Sequence, residues 1–224
     1  MFGPETFAWF TGLEADNSKA YFAAHRDVYD VAVRGALAEL LEDLASELGG
    51  EVKLFRQQRD TRFSKDKSPY KTVTYGVIHG RPQTAASLYA QLSASGLFAG
   101  TGYYGMAGDQ LARFREAVAA DWPGDQLARV LDAIHGAGIE TWGEALKTAP
   151  RGYAKDHPRV RLLRHKMLIA GRRLAPDGAT GAVSAADAAS FTRATWEVIA
   201  PMTAWLDTHV GPSTLPPPSS RYGR

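Results

Sequence analysis

The stretch Ser87-Leu88-Tyr89-Ala90-Gln91-Leu92-Ser93-Ala94-Ser95-Gly96-Leu97-Phe98-Ala99-Gly100 decides how the fold is read. Two strand-forming runs, 87–93 and 97–105, flank Ala94-Ser95-Gly96, a short connection of the kind that folds one strand back on the next. Working towards the N-terminus, 72–79 reads as a further strand, with β-branched Val73, Val77 and Ile78, and 52–59 as another. The expectation is an antiparallel sheet of about four strands, close to the usual sheet size.

On either side of this sheet the period changes to that of helices. Pro4 is a good first-turn residue for a short helix that ends at Gly12 and buries Phe7 and Phe10. Asp16 or Asn17 can cap a second helix running towards Leu48, where Gly49-Gly50 stops it. Leu37, Leu40, Leu41, Leu44 and Leu48 lie on one of its faces, and Gly35 loosens its middle. After Met106, Leu111, Phe114 and Val118 mark one helix, and Pro123 opens another that carries Leu127, Val130, Leu131 and Ile134. Pro158 opens a short helix with Leu162 and Leu163. Ser184 with Asp187 resembles a capping box for a long final helix, with Pro201 as a kink. Helices, a meander, then helices predict one α+β domain over residues 1–210, followed by a disordered Pro/Ser-rich tail at 211–224.

A chain of 224 residues can bury a sizeable core without covalent staples. It contains no cysteine, which excludes disulfides, thiolate metal sites and cysteine nucleophiles and fits a reducing compartment. Met1-Phe2-Gly3-Pro4-Glu5 lacks the pattern of a secretory signal, and no apolar run approaches bilayer-spanning length. The expectation is therefore a cytoplasmic protein with no membrane partner.

Net charge is only +2, but it is segregated. Residues 51–72 hold seven Lys/Arg against Glu51, Asp60 and Asp66, a net of +4, and residues 151–173 hold eight against Asp156 alone, a net of +7. Such clustering creates local fields that the total hides.

The first basic segment contains Arg59-Asp60-Thr61-Arg62-Phe63-Ser64-Lys65-Asp66-Lys67-Ser68-Pro69-Tyr70-Lys71-Thr72, placed between two expected strands and hence on a loop. Arginine offers planar donors suited to carboxylate or phosphate, lysine a mobile point charge, and Ser, Thr and Tyr add neutral donors. Converging, they make an anion site. The bland reading is a loop clamped by Asp–Arg pairs, with Tyr70 packed on the core. In the second segment, Arg151-Gly152-Tyr153 permits a tight bend, and Asp156 or His157 can cap the helix opened by Pro158, itself an anion-accepting terminus.

These runs carry a resemblance. The fourteen residues from Arg59 to Thr72, the later Pro150-Arg151-Gly152-Tyr153 with Asp156-His157-Pro158, and Leu162-Leu163-Arg164-His165-Lys166 resemble the signatures of the family catalogued as domain of unknown function 2461. The opening Asn17-Ser18-Lys19-Ala20-Tyr21-Phe22-Ala23-Ala24-His25-Arg26, with Tyr29, is similar to that family's N-terminus. The likeness spans roughly residues 2–208. Asp16-Asn17 stands where the family usually has two asparagines, and Tyr21-Phe22 where it has Trp-Phe, changes that keep aromatic packing available. The resemblance implies a fold and a set of marked positions rather than an activity.

Other constellations are weaker. Ser64-Lys65-Asp66-Lys67 matches the serine–lysine spacing S-x-x-K, but its K-T-G and S-D-N companions are missing and Pro69 opposes the helix it needs. The six histidines are scattered without metal-ligand spacing, and Gly100-Thr101-Gly102 with Gly105 lacks the strand-to-helix setting of a phosphate cradle. Neither a metal nor a cofactor is expected.

The leading expectation is a cationic pocket, built by both basic segments together, for a small phosphate- or carboxylate-bearing ligand. Arg59, Arg62, Arg151 and Lys166 would anchor it, with Lys65, Tyr70 and Lys71 as further ligand-binding groups. His157, Ser64 and Lys67 are the candidates for chemistry, His157 as proton carrier. Two alternatives stand beside it. One is a nucleic-acid binder stacking bases on Phe63, Tyr70 and Tyr153; the other is a structural protein whose cations are already paired internally.

Overall fold

The computed structural model describes residues 1–216. Helices α1 (Pro4–Ala15), α2 (Lys19–Ala24), α3 (Arg26–Val28), a π-helical turn (Tyr29–Gly35) and α4 (Ala36–Leu48) precede strands β1 (Glu51–Leu54), β2 (Thr74–His79), β3 (Ser87–Ser93) and β4 (Gly96–Tyr103). Then come α5 (Gly108–Ala119), α6 (Asp121–Gly136), β5 (Glu140–Trp142), α7 (Val160–Leu163), β6 (Leu168–Leu174) and α8 (Ala185–His209).

The protein is α+β, with N-terminal helices, an antiparallel sheet and a C-terminal helix. The sheet has six strands in the order β1-β2-β3-β4-β6-β5, where about four were expected. β5 is three residues long, too short to show a period. β6, Leu-Ile-Ala-Gly-Arg-Arg-Leu, sits in the basic stretch, where charge hid its strand character. The expected connection is present as a turn at Ala94-Ser95. Gly96 follows at φ 116°, and a Cβ there would strike the Leu174 carbonyl oxygen. Only glycine fits this approach of β6.

The chain divides into two compact units. The first comprises Met1–Pro82, Ser87–Gly100 and Gly171–Glu197. Its β2 alternates strictly, with Thr74, Gly76 and Ile78 buried and Tyr75, Val77 and His79 half-buried. Leu37, Leu40, Leu41 and Leu44 of α4 are buried as the spacing predicts, and a Cβ on Gly76 would meet Leu41. Leu48, expected on the same stripe, is 37% exposed because the helix ends there.

The long helix expected before Leu48 is interrupted. Ser18, rather than Asp16 or Asn17, caps α2, its hydroxyl accepting from the Tyr21 amide at 3.1 Å. In the π-helical turn, the Ala32 carbonyl takes a 2.9 Å bond from the Thr6 hydroxyl of α1, a partner from outside the helix.

The second unit comprises Gln83–Ala86, Thr101–Ala170 and the chain from Val198. Its core gathers Phe114, Leu127, Leu131, Ile134, Leu163 and Trp205. The Trp205 indole donates to the Pro123 carbonyl at 2.9 Å, and the Tyr103 hydroxyl to Asp207 at 2.7 Å. Helix α8 continues through Pro201.

Beyond it, 211–214, expected to begin a disordered tail, are tied to α5. Gln110 and Arg113 donate to the carbonyls of Gly211 and Pro212, both at 2.8 Å, while Asp109 accepts from Ser213 Oγ and the Thr214 amide, also at 2.8 Å. The remainder of that expectation, 217–224, lies outside the described residues. Among the described residues, no helix is long and apolar enough to cross a membrane.

Candidate functional site

The loop after β1 is held at its base by backbone pairing. The Phe55 amide donates to the Tyr75 carbonyl at 3.1 Å, Lys71 to Gln57 at 2.9 Å and Arg59 to Pro69 at 2.9 Å, so the legs stay together as far as the Gln58–Tyr70 bridge. Gln57, 2% exposed, ties the interior, its amide donating to the Lys71 carbonyl and accepting from the Thr74 hydroxyl at 2.8 Å. Asn17 clamps the other side. Its side chain donates to the Tyr70 carbonyl and accepts from the Tyr70 amide, both at 3.1 Å, imitating a neighbouring strand. The Tyr70 ring stacks on Phe22 at 4.3 Å and is 9% exposed, so it is a packing residue more than a ligand donor.

The tip is laced by charge. Asp66 accepts from the Arg59 guanidinium, from the Ser68 amide at 2.9 Å and from the Ser68 hydroxyl at 2.6 Å. The two Ser68 donors, then Arg59, hold its carboxyl well below the usual range. Asp60 takes Arg62 Nε at 3.0 Å and Nη2 at 2.7 Å, which lowers its pKa to about 2. Lys67 donates to the Thr61 carbonyl at 3.0 Å, and Ser64 Oγ lies 3.5 Å from Arg59. Ser64 and Lys67 therefore sit in irregular loop, not at the helix start that a serine–lysine pair needs. Lys65 is exposed, and Phe63 is 87% exposed.

At the foot of this loop lies a depression of about 320 Å3, lined by Asn17, Arg59, Asp66, Ser68, Lys71 and Thr72, with Tyr70 and Val73. All belong to the first unit. Two cations face one carboxylate, and two hydroxyls add neutral donors. Lys71 donates to the Arg56 carbonyl and lies 5.1 Å from the centre of the Tyr75 ring. Burial, then the charge of Arg56, pushes its ammonium pKa down.

Segment 150–166 belongs to the second unit, and Arg159, Arg164 and Lys166 have partners there. Lys166 pairs with Glu144, and Arg164 donates to the Leu146 carbonyl. Arg159 clasps the carbonyl oxygens of Val118, Ala119 and Ala120 at the end of α5 and pairs with Asp125, capping a helix C-terminus with charge. His157 Nδ1 accepts from the Arg159 amide at 3.0 Å, in the bend that precedes α7. Arg151 is exposed, and α7 is only four residues long.

Of the residues singled out from the sequence, Arg59, Tyr70 and Lys71 thus line one depression. Ser64 touches it through Arg59, and Arg62, Lys65 and Lys67 stand around the tip. Sequence reasoning missed Asn17, read as a helix cap, and gave Ser68 and Thr72 no individual role, while Asp66 was foreseen only as a partner for a neighbouring cation. Among the described residues, no three His, Asp or Glu side chains come together to hold a metal.

These features define an α+β protein with a polar, loop-built depression at the edge of its sheet. The chain belongs to the conserved hypothetical protein family DUF2461, whose profile matches residues 5–205. No curated protein matches it.

Proposed function

We propose that the protein binds a small phosphate- or carboxylate-bearing anion in this depression, with Arg59 and Lys71 as cations and Ser68 and Thr72 as neutral donors. One observation carries the reading: the Asp66 carboxylate is already cradled by Arg59 and by both donors of Ser68. It behaves as an internal stand-in for a ligand oxyanion. The Arg59–Asp66 pair is partly exposed, at 26% and 59%, so a ligand can reach the donors that Asp66 occupies. Segment 150–166 is left out, because Lys166, Arg159 and Arg164 are engaged within their own unit. The cysteine-free composition fits the cytoplasm, the location we propose with it.

Thermal-shift titration with phosphate, sulfate and citrate tests the reading. A saturable rise in Tm is expected in the wild type, growing with the logarithm of anion concentration above Kd. The rise should vanish in Arg59→Gln. No rise, or an equal rise in both proteins, would sink it.

A second reading is favoured by the Asp60–Arg62 pair, which closes the tip on itself. If the network only holds the loop, Arg62→Ala and Arg59→Gln both lower Tm and neither alters any anion response.

A further inference from the structure

We propose that the face of the first unit's sheet turned away from α4 binds single-stranded nucleic acid, with phosphates on Lys53, Lys71 and Arg173 and bases laid across Phe55, Tyr75, Tyr89 and Phe98. The proposal concerns a different surface from the anion depression, shares only Lys71 with it, and does not rest on it.

Strand alternation and register build the row. Thr74, Gly76 and Ile78 of β2 and Leu88, Ala90 and Leu92 of β3 face the helices and are buried, so Tyr75 and Tyr89 point the other way and are half-buried. Val77 pairs with Tyr89, and Tyr75 with Gln91, which places the two tyrosines diagonally across the β2–β3 pair. Phe55 stacks on Tyr75 at 4.7 Å and 24°, Tyr75 meets Tyr89 at 5.6 Å, and Tyr89 meets Phe98 at 6.0 Å and 65°. Strands β2, β3 and β4, with the residue that follows β1, thus contribute to one continuous aromatic row, about 14 Å across at ordinary strand spacing.

Rings at 4.7 Å and nearly parallel are face to face, so Phe55 and Tyr75 stand up from the sheet. Their outward edges carry the positive end of the ring quadrupole. A nucleobase lying flat over them meets those edges with its π-face, the edge-to-face geometry that aromatic pairs favour.

The charge is distributed to match. Lys53 Nζ lies 5.4 Å from the Phe55 ring centre, Lys71 Nζ 5.1 Å from that of Tyr75, and the Arg173 guanidinium 5.8 Å from that of Phe98. Cations therefore stand at both ends of the row, Lys53 and Lys71 at the Phe55–Tyr75 end and Arg173 at the Phe98 end. Glu51, the carboxylate of the same alternation, sits at the far end of β1 and pairs across with His79. A neutral glycan would also accept aromatic contacts, but it would gain nothing from three cations. A duplex hides its base faces from such a row. The combination of π-surface with a cationic track is what a single strand requires.

Fluorescence anisotropy with labelled oligo-deoxythymidine and oligo-uridine of about twelve nucleotides, a length one stacking platform covers, tests this on the full-length protein. Binding is expected to weaken as salt rises, and each of Lys53→Gln and Arg173→Gln should reduce the salt slope by about one. Tyr89→Ala should weaken binding about five- to hundred-fold, while Tyr89→Phe, which keeps the ring, should not. Because Tyr89→Ala removes a ring from the sheet, the two cation variants stand as an independent measure. Arg59→Gln should leave oligonucleotide affinity unchanged, which separates this surface from the anion depression. No binding at about 100 µM protein, equal affinity for a duplex of the same length, or unchanged slopes in both cation variants would each overturn the proposal. So would equal competition by inorganic polyphosphate, or binding of a neutral oligosaccharide in place of the oligonucleotide.

Discussion

Three donors converge on one side chain at Asp66: Arg59 on one oxygen, the amide and hydroxyl of Ser68 on the other. If this carboxylate stands in for a ligand, Asp66→Asn should raise affinity for phosphate by up to about five-fold, the scale of an exposed pair. Isothermal titration would show it, and a fall in affinity would mean that Asp66 only builds the loop. The pH dependence has a definite sign. Because the folded-state pKa of Asp66 is depressed, the clamp is complete above the ordinary carboxylate range near pH 4 and is lost as pH falls through the lower folded value. Exchange of the Ser68 amide, followed against pH, would report that opening. The cations and hydroxyls here were legible in the sequence as residue types, but their partners were not. Tyr70 was read as a donor and spends its ring on Phe22; Asn17 was read as a cap and holds the Tyr70 peptide. Those choices depend on residues about fifty positions apart, which no local pattern encodes.

Among elements, the strands with clean alternation were legible and the short or charged ones were not. β2 and β3 show buried and half-buried residues in turn, whereas the Arg172-Arg173 pair disguised β6. There Arg172 turns to the helix side, donating to the Thr195 hydroxyl at 2.9 Å and stacking on Phe191, while Arg173 lies over Phe98 on the opposite face. The residues after α8 read as a tail because Pro, Ser and Gly dominate them. Yet Asp109 accepts from Ser213 and from both the amide and the hydroxyl of Thr214, and the Thr214 amide, then the Ser213 hydroxyl, Arg113 and the Gln110 amide, hold its carboxyl well below the usual range. Replacing Asp109 with Ala should release 211–214, seen as faster amide exchange and earlier proteolysis there, with α5 itself retained. Unchanged protection would mean that the bonds from Gln110 and Arg113 suffice.

For the whole molecule, each unit has its own apolar core, and stability should respond accordingly. Leu41 is fully buried against Gly76, so Leu41→Ala should cost about 2–5 kcal/mol in chemical denaturation. A loss below about 1 kcal/mol would show that the first unit's core collapses onto the gap. The α+β class was determined by sequence alone, because hydrophobic period is a local property: about two residues in the strands and 3.6 in helices such as α4 and α6. The same chain order marked 59–71 as a basic loop between two expected strands. Only the tertiary structure decided which of the loop's cations meet a carboxylate, and that Phe55, Tyr75, Tyr89 and Phe98 form one row. Alternation says which face a side chain takes; register and long-range pairing say what stands beside it.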